Sequence, residues 1–178
     1  MKKVLFLVLT ALFVFPFNME AKKPKLKLTA DIELESKHEG DASKIKFQID
    51  DYMFFNSCYV EGFRVWNGTG QRVYIQWEDA RLAYGKVCFD GDTPLTYQNP
   101  KADESVFNNS FSVSRKLFSA SYINSFDNSL RTLYDSRSLK KSGGSTIVRL
   151  DLPIKFSDNH LELYKIKIIY KYIPEEDK

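Results

Sequence analysis

Two histidines, two cysteines and a scatter of serines and carboxylates are the residues of this chain that could do chemistry. His38 and His160 are its only imidazoles, and both sit in polar segments of turn formers. A zinc site needs three or four His, Cys or carboxylate ligands held close together. Cys58 and Cys88 lie far apart with no Cys-x-x-Cys, so no such cluster is visible. A serine nucleophile needs a general base and oxyanion donors. No Gly-x-Ser-x-Gly occurs, and the serines of 119–145 read as loop composition. Asp50-Asp51 and Glu78-Asp79 offer paired carboxylates of the kind glycosidases use, but they fall at strand ends, where acids face water. Gly143-Gly144 follows no strand with the spacing of a phosphate-binding loop. The chain reads as non-catalytic, with no metal and no cofactor.

The cysteines have two structural readings. In an oxidising compartment Cys58 and Cys88 can form a disulfide. As separate thiols they would pack as small hydrophobes. Both readings stand, because sequence does not fix the distance between their Cα atoms.

Charge gives one further candidate. Between Arg115 and Arg149 seven basic residues face only Asp127 and Asp135. Four of them, Arg131, Arg137, Lys140 and Lys141, share the stretch 119–144 with Tyr122, Phe126 and Tyr134. This stretch is a candidate contact surface for an acidic polymer or partner; the plainer reading is a solvated loop.

These residues need a scaffold, and period-two alternation supplies it. Leu26, Leu28, Ala30, Ile32 and Leu34 alternate with polar residues, the mark of a strand with one face in a core. The same pattern predicts strands at 45–49, 59–66, 72–77, 148–156 and 164–172, and turn segments set off further strands at 85–89, 95–98 and 110–117. Asn67-Gly68 between two alternating runs predicts a hairpin turn. Asn67-Gly68-Thr69 and Asn108-Asn109-Ser110 match the glycosylation acceptor pattern but read as turns. Pro153 lacks a donor and predicts an edge strand or a bulge. The connection 119–144 is longer than compact domains usually allow. A short helix fits there, capped by Asn128 and ended by Gly143-Gly144. With no βαβ rhythm, eight or nine short strands predict an all-β antiparallel sandwich or barrel.

The first 21 residues predict a cleaved secretory signal. Lys2-Lys3 precede an apolar run, Val4 to Phe17, and Ala21 stands at the cut. The run is shorter than the roughly 20 residues a spanning helix needs. Export to the periplasm or the extracellular space follows, with no transmembrane segment left. Removing Lys2, Lys3 and Glu20 takes the chain's 26 basic and 23 acidic residues to 24 and 22. That balance calls for no nucleic acid. Residues 22–174 fit one domain, and 175–178 form an acidic tail.

Phe63 to Trp77 runs from a strand ending in Asn-x-Thr to a second strand closing on Trp. It resembles a pattern in small exported bacterial envelope proteins of unknown function. The likeness continues through Gly85-Lys86 to Leu117. It implies an immunoglobulin-like β-sandwich in the envelope, and no activity. The expected function is therefore an exported binding or assembly module, partnered by an envelope protein or polymer. A small apolar-ligand carrier, with its strands closed into a barrel, is the alternative.

Overall fold

The computed structural model describes residues 25–50, 57–92, 99, 101–127 and 129–175. The signal segment, the strand expected at 95–98, the Asn128 cap and the last three residues lie outside them. Strands make up 51% of the structure and helical turns 11%, so the molecule is all-β. The described strands are β1 (Leu26–Leu34), β2 (Ile45–Ile49), β3 (Val60–Asn67), β4 (Val73–Ile75), β5 (Arg81–Leu82) and β6 (Gly85–Phe89). They continue as β7 (Glu104–Val106), β8 (Ser110–Phe111), β9 (Arg115–Ser119), β10 (Ser145–Phe156) and β11 (Leu161–Pro174). One short helix, α1 (Ser136–Ser142), precedes β10.

All pairings are antiparallel, and the strands follow one hydrogen-bonded path, β1-β11-β10-β5-β6-β9-β3-β2. β4 lies between β10 and β7, and β8 pairs with β3. The sheet curls into a half-barrel. It has two leaves, β1-β11-β10 with β4 and β2-β3-β9-β6 with β8, joined through the short β5–β6 hairpin. The inward phases of both leaves meet in one core. Phe63 and Val65 of β3 share it with Ile75, Leu150, Ile166 and Ile168.

Alternation explains most of these strands, and three local features depart from it. Asn67-Gly68 makes no hairpin: β3 and β4 belong to different leaves, and the chain crosses between them. A two-residue type I′ turn needs positive φ at both central positions. Here positive φ falls at Gly70 instead. Pro153 sits inside β10, a central strand. Its carbonyl accepts the Gln76 N–H at 2.9 Å, so its donorless nitrogen faces the same flank. There the ladder to β5 has ended at Asp151 and the ladder to β4 begins at Ile154. The proline fills the break and removes no ladder bond. Gly62, at φ 69°, makes a bulge in β3, where the pairing with β9 shifts between Val60 and Phe63. Glu61, beside this bulge, is buried, and its Oε1 lies 3.7 Å from Lys116 Nζ.

Candidate functional site

The first cluster forms where the chain leaves β1. Glu35 N–H donates to the Lys165 carbonyl at 2.8 Å, and Lys165 N–H donates back to Ser36 Oγ at 3.1 Å. The segment then lays the His38 ring flat on Tyr164, with centroids 4.1 Å apart. The His38 side chain is 4% exposed and has a partner at each nitrogen. Nε2 meets Ser36 Oγ at 2.5 Å, and Nδ1 meets Glu162 Oε2 at 3.0 Å. The other Glu162 oxygen meets His160 Nε2 at 2.6 Å. The His160 hydrogen bond, opposed by burial and joined by the bond to His38, holds the Glu162 carboxyl below its ordinary range. The carboxylate is thus ionised across the neutral range.

Ser36, His38 and Glu162 stand in the order of an acyl-transfer relay. Their bonds also do ordinary structural work. The Ser36 hydroxyl holds the Lys165 backbone and the imidazole together, and the Tyr164 hydroxyl, beneath the ring, donates to the Ala42 carbonyl at 2.8 Å. The cluster fastens the segment after β1 to the start of β11. Sequence reasoning missed it because its members lie at opposite ends of the chain. One signal was legible: Glu162 occupies the apolar phase of β11, ahead of Tyr164, Ile166 and Ile168. An acid on an inward phase requires a partner.

The second cluster is the expected contact surface. The connection 119–144 is built rather than slack. Ile123 bridges Leu130, and Arg131 N–H donates to the Tyr122 carbonyl at 2.7 Å. Leu133 N–H reaches the Ser57 carbonyl at 2.6 Å. Tyr134 is buried against Tyr170, with ring centroids 4.3 Å apart. α1 begins later than expected. Asp135, not Asn128, is its cap, accepting from the N–H groups of Arg137 and Ser138. Leu130 and Leu133 lie outside the helix, and the helix ends as expected at left-handed Gly143. Arg131, Arg137, Lys140 and Lys141 are all exposed. The last three share one flank of α1 at i, i+3 and i+4. Lys140 Nζ lies 5.8 Å from the Tyr172 ring.

No protein-family model, curated protein or solved structure matches this chain.

The cysteines fall on different elements. Cys88 lies in β6 opposite Phe118 of β9, and is fully buried. Cys58 precedes β3, which pairs with the other edge of β9. Its Sγ lies 3.8 Å from the Leu130 carbonyl. As a thiol, Cys88 is pushed up to about 11 by burial, and burial also raises Cys58. Only thiolate reacts with alkylating agents. In the reduced, folded protein Cys58 will therefore take iodoacetamide well before Cys88, as peptide mass mapping at pH 8 would show. Equal rates would contradict this placement. The mass of unreduced, unfolded, alkylated protein separates the bridge from the two thiols.

Among the described residues no group of three His, Cys, Asp or Glu is placed to hold a metal ion. A polar pocket of about 330 Å³ lies beside the β10–β11 turn, lined by Tyr74, Asp103, Lys155, Phe156, Ser157 and Asn159.

Proposed function

We propose that this protein is an exported binding or assembly module of a bacterial envelope, acting by contact without catalysis. The observation that carries the reading is the construction of 119–144. A capped helix and a buried tyrosine hold four exposed cations on a rigid scaffold. Such placement of a long ordered connection is how scaffolds present binding residues. The partner is an acidic envelope polymer or protein, met in the periplasm or outside the cell. Two leaves facing one core support the finer reading of the fold as an immunoglobulin-like sandwich, joined along one side by β5–β6. The carrier alternative has less support, since Phe63, Ile75, Leu150 and Ile166 fill the space between the leaves.

The test is the quadruple replacement of Arg131, Arg137, Lys140 and Lys141 by Ser. Envelope association is expected to fall, and wild-type association to weaken from 0.1 M to 1 M salt, as the screening length drops from about 10 to about 3 Å. Thermal unfolding should change little, because exposed substitutions usually cost within about 0.5 kcal/mol. Unchanged association in the variant would leave 119–144 as a solvated loop.

A further inference from the structure

The outer face of the β2–β3–β8 leaf breaks the rule that built it. Alternation turns Phe47, Phe63 and Val65 toward the core. It turns Lys46, Gln48, Arg64 and Trp66 outward. Apolar rings on this watered side gain nothing from the core, yet Trp66 stands there directly opposite Phe111 of β8. Their ring centroids are 4.8 Å apart and their planes tilt by 57°, forming an angled ledge. Phe111 is 43% exposed, and Val113 beyond it 59%. A clustered apolar surface of this kind marks an interaction site more often than a lone exposed residue does.

One exposed cation, Lys46, and one carboxylate-paired cation, Arg64, flank the ledge. Lys46 pairs across the strands with Trp66, and Gln48 with Arg64. Both Lys46 and Gln48 are exposed. The Arg64 guanidinium lies 5.5 Å from the Phe111 ring centroid. Its Nε donates to Asp50 Oδ2 at 3.0 Å, and its Nη2 donates to Asp50 Oδ1. Ser114 Oγ donates to the same carboxylate at 3.0 Å. The ledge is thus held in place before anything binds, which reduces the ordering cost of association.

We propose that Trp66 and Phe111 form a binding ledge for an acidic polysaccharide, flanked by Lys46, Gln48 and Arg64. The electron-rich ring faces suit the weakly positive C–H faces of sugar rings. Lys46 complements carboxylates along the polymer, and Gln48 and the edge of Arg64 offer donors to hydroxyls. The inference rests on the binding-module reading but uses a different surface from the basic flank of α1.

The probes are polygalacturonate and neutral dextran, cast into native gels at 0.1 M and 0.5 M salt. Wild-type protein is expected to be retarded by polygalacturonate at 0.1 M salt, less strongly at 0.5 M, and not by dextran, because the contact of Lys46 with carboxylates is what separates the two polymers and salt screens it. Phe111→Ser and Trp66→Ala should each weaken retardation at least tenfold in polymer concentration, and Trp66→Phe should retain most of it. Circular dichroism confirms that each variant is folded, and exposed Phe111→Ser keeps the test valid if Trp66→Ala unfolds. The quadruple variant of 119–144 should be retarded like wild type. Unretarded wild-type protein overturns the proposal. So do full retardation of Phe111→Ser, or loss of retardation only in the quadruple variant; that last result would leave the binding-module reading standing.

Discussion

Replacing Asn67 with Ala will lower thermal stability by about 3 kcal/mol, more than any surface change made to test binding. Asn67 is fully buried, and its amide is bonded on both sides. Nδ2 donates to the Gln71 carbonyl at 2.8 Å and to the Val106 carbonyl at 2.9 Å. Oδ1 accepts from Thr69 N–H at 3.0 Å and from Thr69 Oγ1 at 2.8 Å. Ala would take partners from the Val106 carbonyl and the Thr69 N–H, while Thr69 Oγ1 and the Gln71 carbonyl keep their bond to each other at 3.2 Å, and each unsatisfied buried group costs about 1–3 kcal/mol. Some relaxation offsets the sum. For a domain of this size the expected fall in melting temperature is about 6–12 °C. Asn67→Asp should be no better, since it turns an acceptor toward two carbonyls and buries a charge. A melting temperature within 2 °C of wild type, by calorimetry on either variant, would show that these bonds carry little of the fold. The same burial removes Asn67 as a glycan acceptor in the folded protein.

Gly85→Ala should be comparably harmful for a steric reason. Gly85 opens β6 just after the β5–β6 turn, against the segment that follows β9. A Cβ built there would stand 2.4 Å from Ser119 Oγ, 2.5 Å from Ser121 Oγ and 2.6 Å from Ser121 N. Hydroxyls can rotate away, but a backbone nitrogen cannot. Relief requires moving Ser119–Ser121 off β6, which disturbs the pairing of Val87 with Ser119. Overpacking of this kind typically costs about 1–3 kcal/mol, and the backbone contact puts this case at the upper end. Chemical denaturation should show an earlier midpoint with an unchanged slope. Adding Ser121→Gly should recover little, because the nitrogen remains. Full recovery in the double variant would locate the clash in the hydroxyl instead.

Most strands were legible where alternation ran for five residues or more, although the run 72–77 keeps only Val73–Ile75 as a strand. β1, β2, β10 and β11 follow the predicted apolar phases, and β2 and β6 match the expected bounds to the residue. β5 and β7, at two and three residues, are too short to show a period, and their pairing with β10 and β4 comes from tertiary placement. The predicted strand 110–117 is broken in two because Ser112 turns aside: its hydroxyl accepts the Val65 N–H, and its own N–H donates to the Val65 carbonyl. The Asn67-Gly68 hairpin failed for a related reason. The signal assumes a turn governed by backbone preference, whereas Asn67 is committed through its side chain to Val106, far along the chain. The basic stretch was legible by composition alone, though its helix began at Asp135 once Tyr134 was drawn under Tyr170. The Ser36–His38–Glu162 chain and the Trp66–Phe111 ledge join residues from separate strands or loops, and no local pattern announces such meetings.

The pairing of β1 with β11 has a consequence for how the molecule is made. Leu26 lies opposite Pro174, so the first described strand is completed by the last. A chain released from its N-terminus, by a ribosome or through a membrane channel, exposes β1 while its partner is still inside. Until β11 emerges, Leu28, Ala30 and Ile32 have no sheet to join, and β1 presents two unpaired edges. Pairing of β1 with β11 therefore cannot precede the emergence of β11, and it spans the longest strand-to-strand separation among the described residues, a slow step by topology. A chaperone that shields apolar strands would have its natural substrate in this interval, and a truncation before residue 161 would leave β1 permanently without its neighbour.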